Sequence, residues 1–256
     1  MPDSPHDSSL DRLLDQLVEG YRILDMEGHT DMAQGFVGMR DPAGRGFWLK
    51  KTGIGLGEVG APDDLILVDF DGNRLEGSGG LHGEWPIVSE ILLRRPDAMA
   101  VGHTHPFHIC VFAAATAPFQ AVAHEGSVIK GPIGRFTHTS NLILTKEVGQ
   151  ILADDLGEAQ AVLMVNHGAT YIGRSVPECV LAGIWLEKAC SSLLAVQAAG
   201  LDWSAPDQRD LDRKYETVMG TGYVDRSWEF YRRKLARHSG GRSWINPEPS
   251  ICYATQ

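Results

Sequence analysis

His103-Thr104-His105-Pro106 closes the apolar run Ala98-Met99-Ala100-Val101-Gly102. In an extended chain residues i and i+2 leave the same face, so the two imidazoles reach toward one point and can share a metal ion. The same pair could instead satisfy itself on backbone carbonyls or carboxylates. His167 ends a second apolar run, Ala161-Val162-Leu163-Met164-Val165-Asn166, and Gly168 after it permits a sharp turn at the sheet edge. Three neutral imidazoles with a fourth position open are the donor set of a catalytic ion, one that acidifies a bound water or polarises a substrate oxygen. Glu84 opens the helical pattern Trp85 to Arg95 that feeds the His103 strand, and a carboxylate there can be a fourth ligand or an acid/base.

The elements that must position these groups are legible in outline. Leu10, Leu13, Leu14, Leu17, Val18, Tyr21 and Leu24 recur at helical spacing between a Ser9 N-cap and a Gly28 stop. Strands are predicted over 35–40, 46–49, 65–70 and 73–76, with Asp71-Gly72 as a hairpin turn between the last two. The helix from Trp85, the strand to Gly102, a helix over 107–115, strands near Ala121 and Leu142, and a helix over 146–155 follow. The His167 strand, a short strand over 170–173 and a long helix over 176–199 complete the core. Short strands flanked by helices predict an α/β fold of layered sandwich type. After Gly200 two charged helical patterns, 207–219 and 226–237, precede a Gly/Pro/Ser-rich tail over 239–256. Residues 1–8 are expected to fray.

A chain of 256 residues with 43% hydrophobic content can enclose one large core, and a single domain over 1–256 is expected. Net charge is −10 without a Lys/Arg-rich block, which excludes a duplex-binding surface, so nucleic acid is not a predicted partner. Cys110, Cys179, Cys190 and Cys252 are dispersed, no C-x-x-C is present, and no signal-peptide pattern opens the chain, so reduced thiols in the cytoplasm are expected. The apolar pattern after Val176 is broken by Glu178, Glu187 and Lys188, so no membrane span is predicted. Gly55-Leu56-Gly57-Glu58-Val59-Gly60 fits G-x-G-x-x-G but runs into Ala61-Pro62 rather than a helix, so it reads as a loop.

Glu84-Trp85, the helix ending Arg94-Arg95-Pro96-Asp97-Ala98, the H-x-H pair nineteen residues after the glutamate, and Asn166-His167-Gly168 ahead of a short strand and a long helix occur in this order. In this ordered set the chain resembles the class II aldolase/adducin superfamily. The resemblance implies a three-layer α/β/α sandwich around a central, mainly antiparallel sheet. It also implies one divalent ion per subunit, Zn2+ or Mn2+, on His103, His105 and His167, with Glu84 as acid/base. It further implies a homotetramer with active sites at subunit interfaces, toward which the C-terminal region would reach, making Trp228, Tyr231 and Tyr253 candidates for shaping a pocket. The shared chemistry is a carbanion or enolate stabilised by the metal, formed by aldol cleavage, epimerisation or decarboxylation.

The anion site separates these reactions. Sugar-phosphate aldolases of the superfamily hold phosphate with a Gly-Asn turn, a Thr-Gly pair and two serines before the glutamate. Here only Thr52-Gly53 matches; Ala33-Gln34-Gly35 stands at the turn and His82-Gly83 ahead of Glu84. A buried phosphate dianion short of donors is costly. His124 stands where the fuculose-phosphate aldolase pattern has a tyrosine. Phe47, Trp48, Lys50, Lys51, Phe107, Phe119, Arg135 and Phe136, beside His124-Glu125-Gly126, suit a flat aromatic carboxylate. These features are closest to the decarboxylase branch acting on dihydroxyphthalates and hydroxypyridine dicarboxylates. That likeness predicts a small-molecule carboxylate substrate, with catalysis by Glu84, His124 or Glu125 and contacts from Lys51, Thr52, Gly53, Arg135, Phe107 and Tyr231. The alternative is an aldolase or epimerase of a small sugar, phosphorylated or not. A non-catalytic, adducin-like scaffold is disfavoured because all three histidines and the glutamate remain.

Overall fold

The computed structural model describes residues 8–200 and 202–238. The expectations for residues 1–7 and 239–256, including Tyr253, lie outside the described residues. Seven helices are present among them: α1 Ser8–Met26, α2 Trp85–Arg94, α3 Phe107–Ala114, α4 Lys146–Leu156, α5 Val176–Ala199, α6 Gln208–Met219 and α7 Tyr223–His238. The strands are β1 Phe36–Arg40, β2 Phe47–Lys50, β3 Leu65–Val68, β4 Arg74–Glu76, β5 Ala100–Thr104, β6 Gly134–Phe136, β7 Ala161–Met164 and β8 Gly168–Gly173. They form one sheet in the order β4-β3-β2-β1-β5-β8-β7-β6, antiparallel throughout except for the β6–β7 pair. Helices α2 and α4 pack together on one face, while α1, α3, α5 and α7 cover the other. This is the expected α/β/α sandwich with a mainly antiparallel sheet.

Local chemistry sets the element ends. Thr145, Ser175 and Asp207 cap α4, α5 and α6 by accepting hydrogen bonds from the amides of Val148, Glu178 and Asp210. Gly200 ends α5 in the left-handed conformation, φ +62°. The guanidinium of Arg40 donates to the carbonyls of Leu92, Arg95 and Ala98, fastening the C-terminal end of α2 to β1. This fixes where the other end of α2, and therefore Glu84, stands over the sheet. Among the described residues α5 alone is long and apolar enough to cross a bilayer, yet most of it is buried inside the protein. Its apolar residues face the sheet, α1 and α3, so it reads as a core helix.

Three local expectations are corrected. No strand forms near Ala121 or Leu142. Residues 125–128 instead make a single 3-10 turn, and the amide of Ile143 is taken by the Glu84 carboxylate rather than by a neighbouring strand. The third strand ends at Val68 rather than residue 70, because the Asp69 carboxylate captures the amides of Asp71 and Asn73 and starts the turn early. The unpredicted β6 lies parallel to β7 at the sheet edge, three residues long and therefore without a readable period.

Candidate metal centre and acid/base

β5 is the central strand of the site. It pairs with β1 and β8, matching His103 to Phe36 on one side and to Thr170 on the other. Alternation sends His103 toward the α2 face and Gly102 and Thr104 toward α5, where Tyr171 packs so closely that a Cβ on Gly102 would lie 2.2 Å from its ring. His105 follows directly after the strand, on the same side as His103.

His167 does not end a strand, as the sequence suggested, but closes the turn Val165-Asn166-His167 between β7 and β8. The left-handed residue of that turn is Asn166, φ +52°, not Gly168. Asparagine tolerates this region better than most residues. Gly168 is needed for a different reason: a Cβ there would lie 2.6 Å from the Thr104 carbonyl oxygen and 2.7 Å from the His105 ring. Bare backbone lets the turn come down onto β5 and brings His167 to the pair.

The ligand nitrogens of His103, His105 and His167 lie within 4.8 Å of one another. The proton placement of His103 and His105 follows from their partners. His103 Nδ1 is 3.0 Å from the Ala169 carbonyl oxygen, which can only accept, so Nδ1 carries the proton and Nε2 a lone pair. His105 Nδ1 is 3.1 Å from Asp31 Oδ2, which assigns the same tautomer. The two Nε2 atoms then face each other at 3.0 Å with no proton between them. Two lone pairs so close repel unless a cation sits against both, so this donor set fits a metal ion. Burial holds His103 well below the usual imidazole range, lowers His105, and pushes His167 down to about 4, so all three are neutral and ready to ligate at neutral pH.

Glu84, at the N-terminus of α2, is buried. Its Oε1 accepts from the Ile143 amide at 2.9 Å and lies 3.6 Å from His167 Nε2; its Oε2 lies 3.8 Å from His103 Nε2. Burial raises its pKa, with the Ile143 amide pulling the other way. A carboxylic acid with a raised pKa next to the His103 and His167 imidazoles can hold a proton for transfer.

A surrounding shell supports this centre, and in it Lys50, grouped from the sequence with residues suiting a carboxylate, instead serves backbone carbonyls. His82 Nδ1 accepts from the Glu84 amide at 3.2 Å, which leaves its Nε2 proton for Gln34 Oε1 at 3.3 Å. Lys50, fully buried, donates to the carbonyls of Ala33 at 2.9 Å and Ile54 at 2.7 Å. Asp31 offered no signal beyond the short polar loop it occupies, and Gln34 was read only as standing at the phosphate turn. Behind β5, buried His29 meets Thr104 Oγ1 at 2.9 Å, and that hydroxyl meets Tyr171 Oη at 3.0 Å.

Burial pushes the His29 pKa down from 6.5 to about 3. Between these values the unfolded chain binds a proton that the folded chain refuses, so His29 costs stability as pH falls through that window, by about 1.4 kcal/mol per pH unit. His29→Gln, which keeps a hydrogen-bonding group for Thr104, is expected to lose less stability than wild type between pH 6.5 and 4.5 in urea unfolding. Equal losses in the two proteins would refute the assignment.

The other residues singled out from the sequence fall elsewhere. Lys51 pairs with Asp64 at 2.7 Å, and Thr52-Gly53 forms an exposed turn in which the Thr52 amide donates to the Gly80 carbonyl. The Arg135 guanidinium donates to the carbonyls of Phe112, Ala113 and Ala117 and lies over the Phe112 ring, so it caps the end of α3. His124 Nε2 meets Tyr223 Oη at 3.2 Å. Glu125 and Tyr231 line one pocket with Lys188 and Tyr223, and the Lys188 ammonium donates to Tyr231 Oη. Neither His124 nor Glu125 joins the ligand group formed by the triad. Large exposed apolar side chains do adjoin the centre in sequence: Met32 follows Asp31, Phe107 is two residues after His105, and Leu142 and Leu144 flank Ile143.

A family model described as Class II Aldolase and Adducin N-terminal domain matches residues 15–194. The chain belongs to the class II aldolase/adducin family. Class II aldolases are metal-dependent, and the triad here could hold such an ion. The chain is similar to a putative aldolase class 2 protein of Caulobacter vibrioides, 27% identical over 86% of this chain and 88% of the relative. It is also similar to a 3,4-dihydroxyphthalate decarboxylase of Arthrobacter keyseri, 29% identical over 69% of this chain and 73% of the relative. Among solved structures, the fold is shared with an L-fuculose 1-phosphate aldolase from Glaciozyma antarctica at TM-score 0.78 and 22% identity, covering 94% of this chain and 96% of that one.

Proposed function

We propose that this family member is a metal-dependent carboxy-lyase acting on a hydroxylated aromatic or heteroaromatic mono- or dicarboxylic acid. One observation carries the reading. The segment ahead of Glu84, where the sugar-phosphate aldolases have phosphate-binding serines, instead presents His82, and both of its ring nitrogens are engaged, by Gln34 and by the Glu84 amide. That segment offers no hydroxyls to a phosphate dianion. The exposed apolar side chains of Met32, Phe107, Leu142 and Leu144, which adjoin the centre in sequence, suit a planar ring, and the likeness to a dihydroxyphthalate decarboxylase points the same way.

His103, His105 and His167 would hold the ion, Zn2+ or Mn2+. When bound, it supplies a Lewis acid for the substrate's hydroxyl and carboxylate oxygens. Glu84, whose pKa burial raises, delivers a proton to the ring carbon as the carbon–carboxylate bond breaks and carbon dioxide leaves. The electron pair of that bond stays on the ring carbon and becomes the new C–H bond; Glu84 regains its proton from water. His82 and the Ile143 amide keep the Glu84 backbone and carboxylate in place during the exchange.

The test is carbon dioxide release from a panel of hydroxylated benzene and pyridine carboxylates, using protein reconstituted with zinc or manganese. Release from at least one of them, with no carbonyl products from sugar phosphates, is the expected result. Retro-aldol cleavage of a sugar phosphate without decarboxylation of any aromatic acid would overturn the proposal in favour of an aldolase.

A further inference from the structure

One turn touches three of the groups around the centre, His105, His82 and Lys50. The Gln34 amide donates to the Asp31 carbonyl at 2.8 Å, closing residues 31–34, and Met32 sits inside the turn at φ +49°. An unbranched L-residue holds that conformation only where its surroundings impose it. From this turn Asp31 reaches His105, the Ala33 carbonyl takes the buried Lys50 ammonium, and Gln34 reaches His82.

We propose that Asp31 is a positioning residue for the metal centre, holding the His105 proton on Nδ1 so that Nε2 is offered as a ligand, from a turn that Lys50 locks in place. The inference rests on the reading that the triad binds a divalent ion. An imidazole with no acceptor at Nδ1 can carry its proton on Nε2 and so lose the lone pair that ligates. His103 is protected from this by a fixed backbone acceptor, the Ala169 carbonyl. His105 depends on a side chain, and that side chain is a carboxylate, which also strengthens the ring as a donor. Asp31 is not needed to hold the turn itself, because the backbone bond to Gln34 and the grip of Lys50 on Ala33 already do so.

The experiment compares metal-free wild type, Asp31→Asn and Asp31→Ala. Zinc affinity is read by competition with a chromophoric chelator, and the His105 tautomer by imidazole nitrogen NMR. Asp31→Ala is expected to bind zinc about 10- to 100-fold more weakly, and its His105 to lose the pure Nδ1–H signature. Asp31→Asn keeps an acceptor oxygen without the charge and should fall between the two, with all three proteins melting together. Equal zinc affinity in wild type and Asp31→Ala, or an unchanged His105 tautomer, would overturn this proposal alone. A wild-type chain that takes up no divalent ion would overturn the metal reading and this proposal with it.

Discussion

His105→Ala should lower turnover by on the order of 10³-fold or more, because losing the ion forfeits several kcal/mol of charge stabilisation in the transition state. The substitution isolates the metal from the fold. His105 lies just beyond β5 and its Nε2 points at His103 Nε2, so its removal takes away a ligand without opening the apolar core. The variant should therefore melt like the metal-free wild type. A strong chelator should produce the same loss in wild type and almost none in the variant, since the three imidazoles act as a unit and their losses do not add. Full activity in the chelated wild type would remove the metal from the mechanism.

Glu84→Gln should cost about 10²- to 10⁴-fold in kcat, the usual value of a positioned acid/base, while zinc binding survives. The amide oxygen can still accept from Ile143, so the local geometry of the 141–144 loop is kept. Removing a buried ionisable group also lifts a desolvation cost, and the metal-free variant should be at least as stable as wild type to urea. The pair of measurements separates two roles for the carboxylate. Loss of zinc affinity along with activity would make Glu84 a ligand first; loss of activity alone makes it the proton carrier. A kcat within tenfold of wild type would eliminate it as the acid/base.

The donor types and their order were legible in the chain. A period of two on the His103 strand, an apolar run before His167 and a glutamate opening a helix are local patterns, and local patterns survive into the structure because they reflect which face of an element is buried. Long elements were equally readable: α1, α2, α4 and α5 follow the helical spacing closely, although α1 begins at Ser8, with the expected cap Ser9 inside it. Short or irregular pieces were not. β6 has three residues, and the segment at Leu142 resembles a strand only until its amide at Ile143 is claimed by a side chain 59 residues away.

What the tertiary structure decided is which groups meet. Asp31 and His105 are 74 residues apart, Gln34 and His82 48, and no spacing rule connects them. Their contacts follow from sheet register and from close backbone approaches that glycine permits, such as Gly168 against Thr104. Arg135 shows the reverse case. Its charge and aromatic neighbours suggested a carboxylate partner, but the carbonyls of Phe112, Ala113 and Ala117, at and just past the end of α3, lie within its reach and take its donors. A sequence states which side chains can donate, accept or ligate. Only the fold settles which of them are left free to do so, because most buried polar groups take a hydrogen-bond partner within about 3 Å.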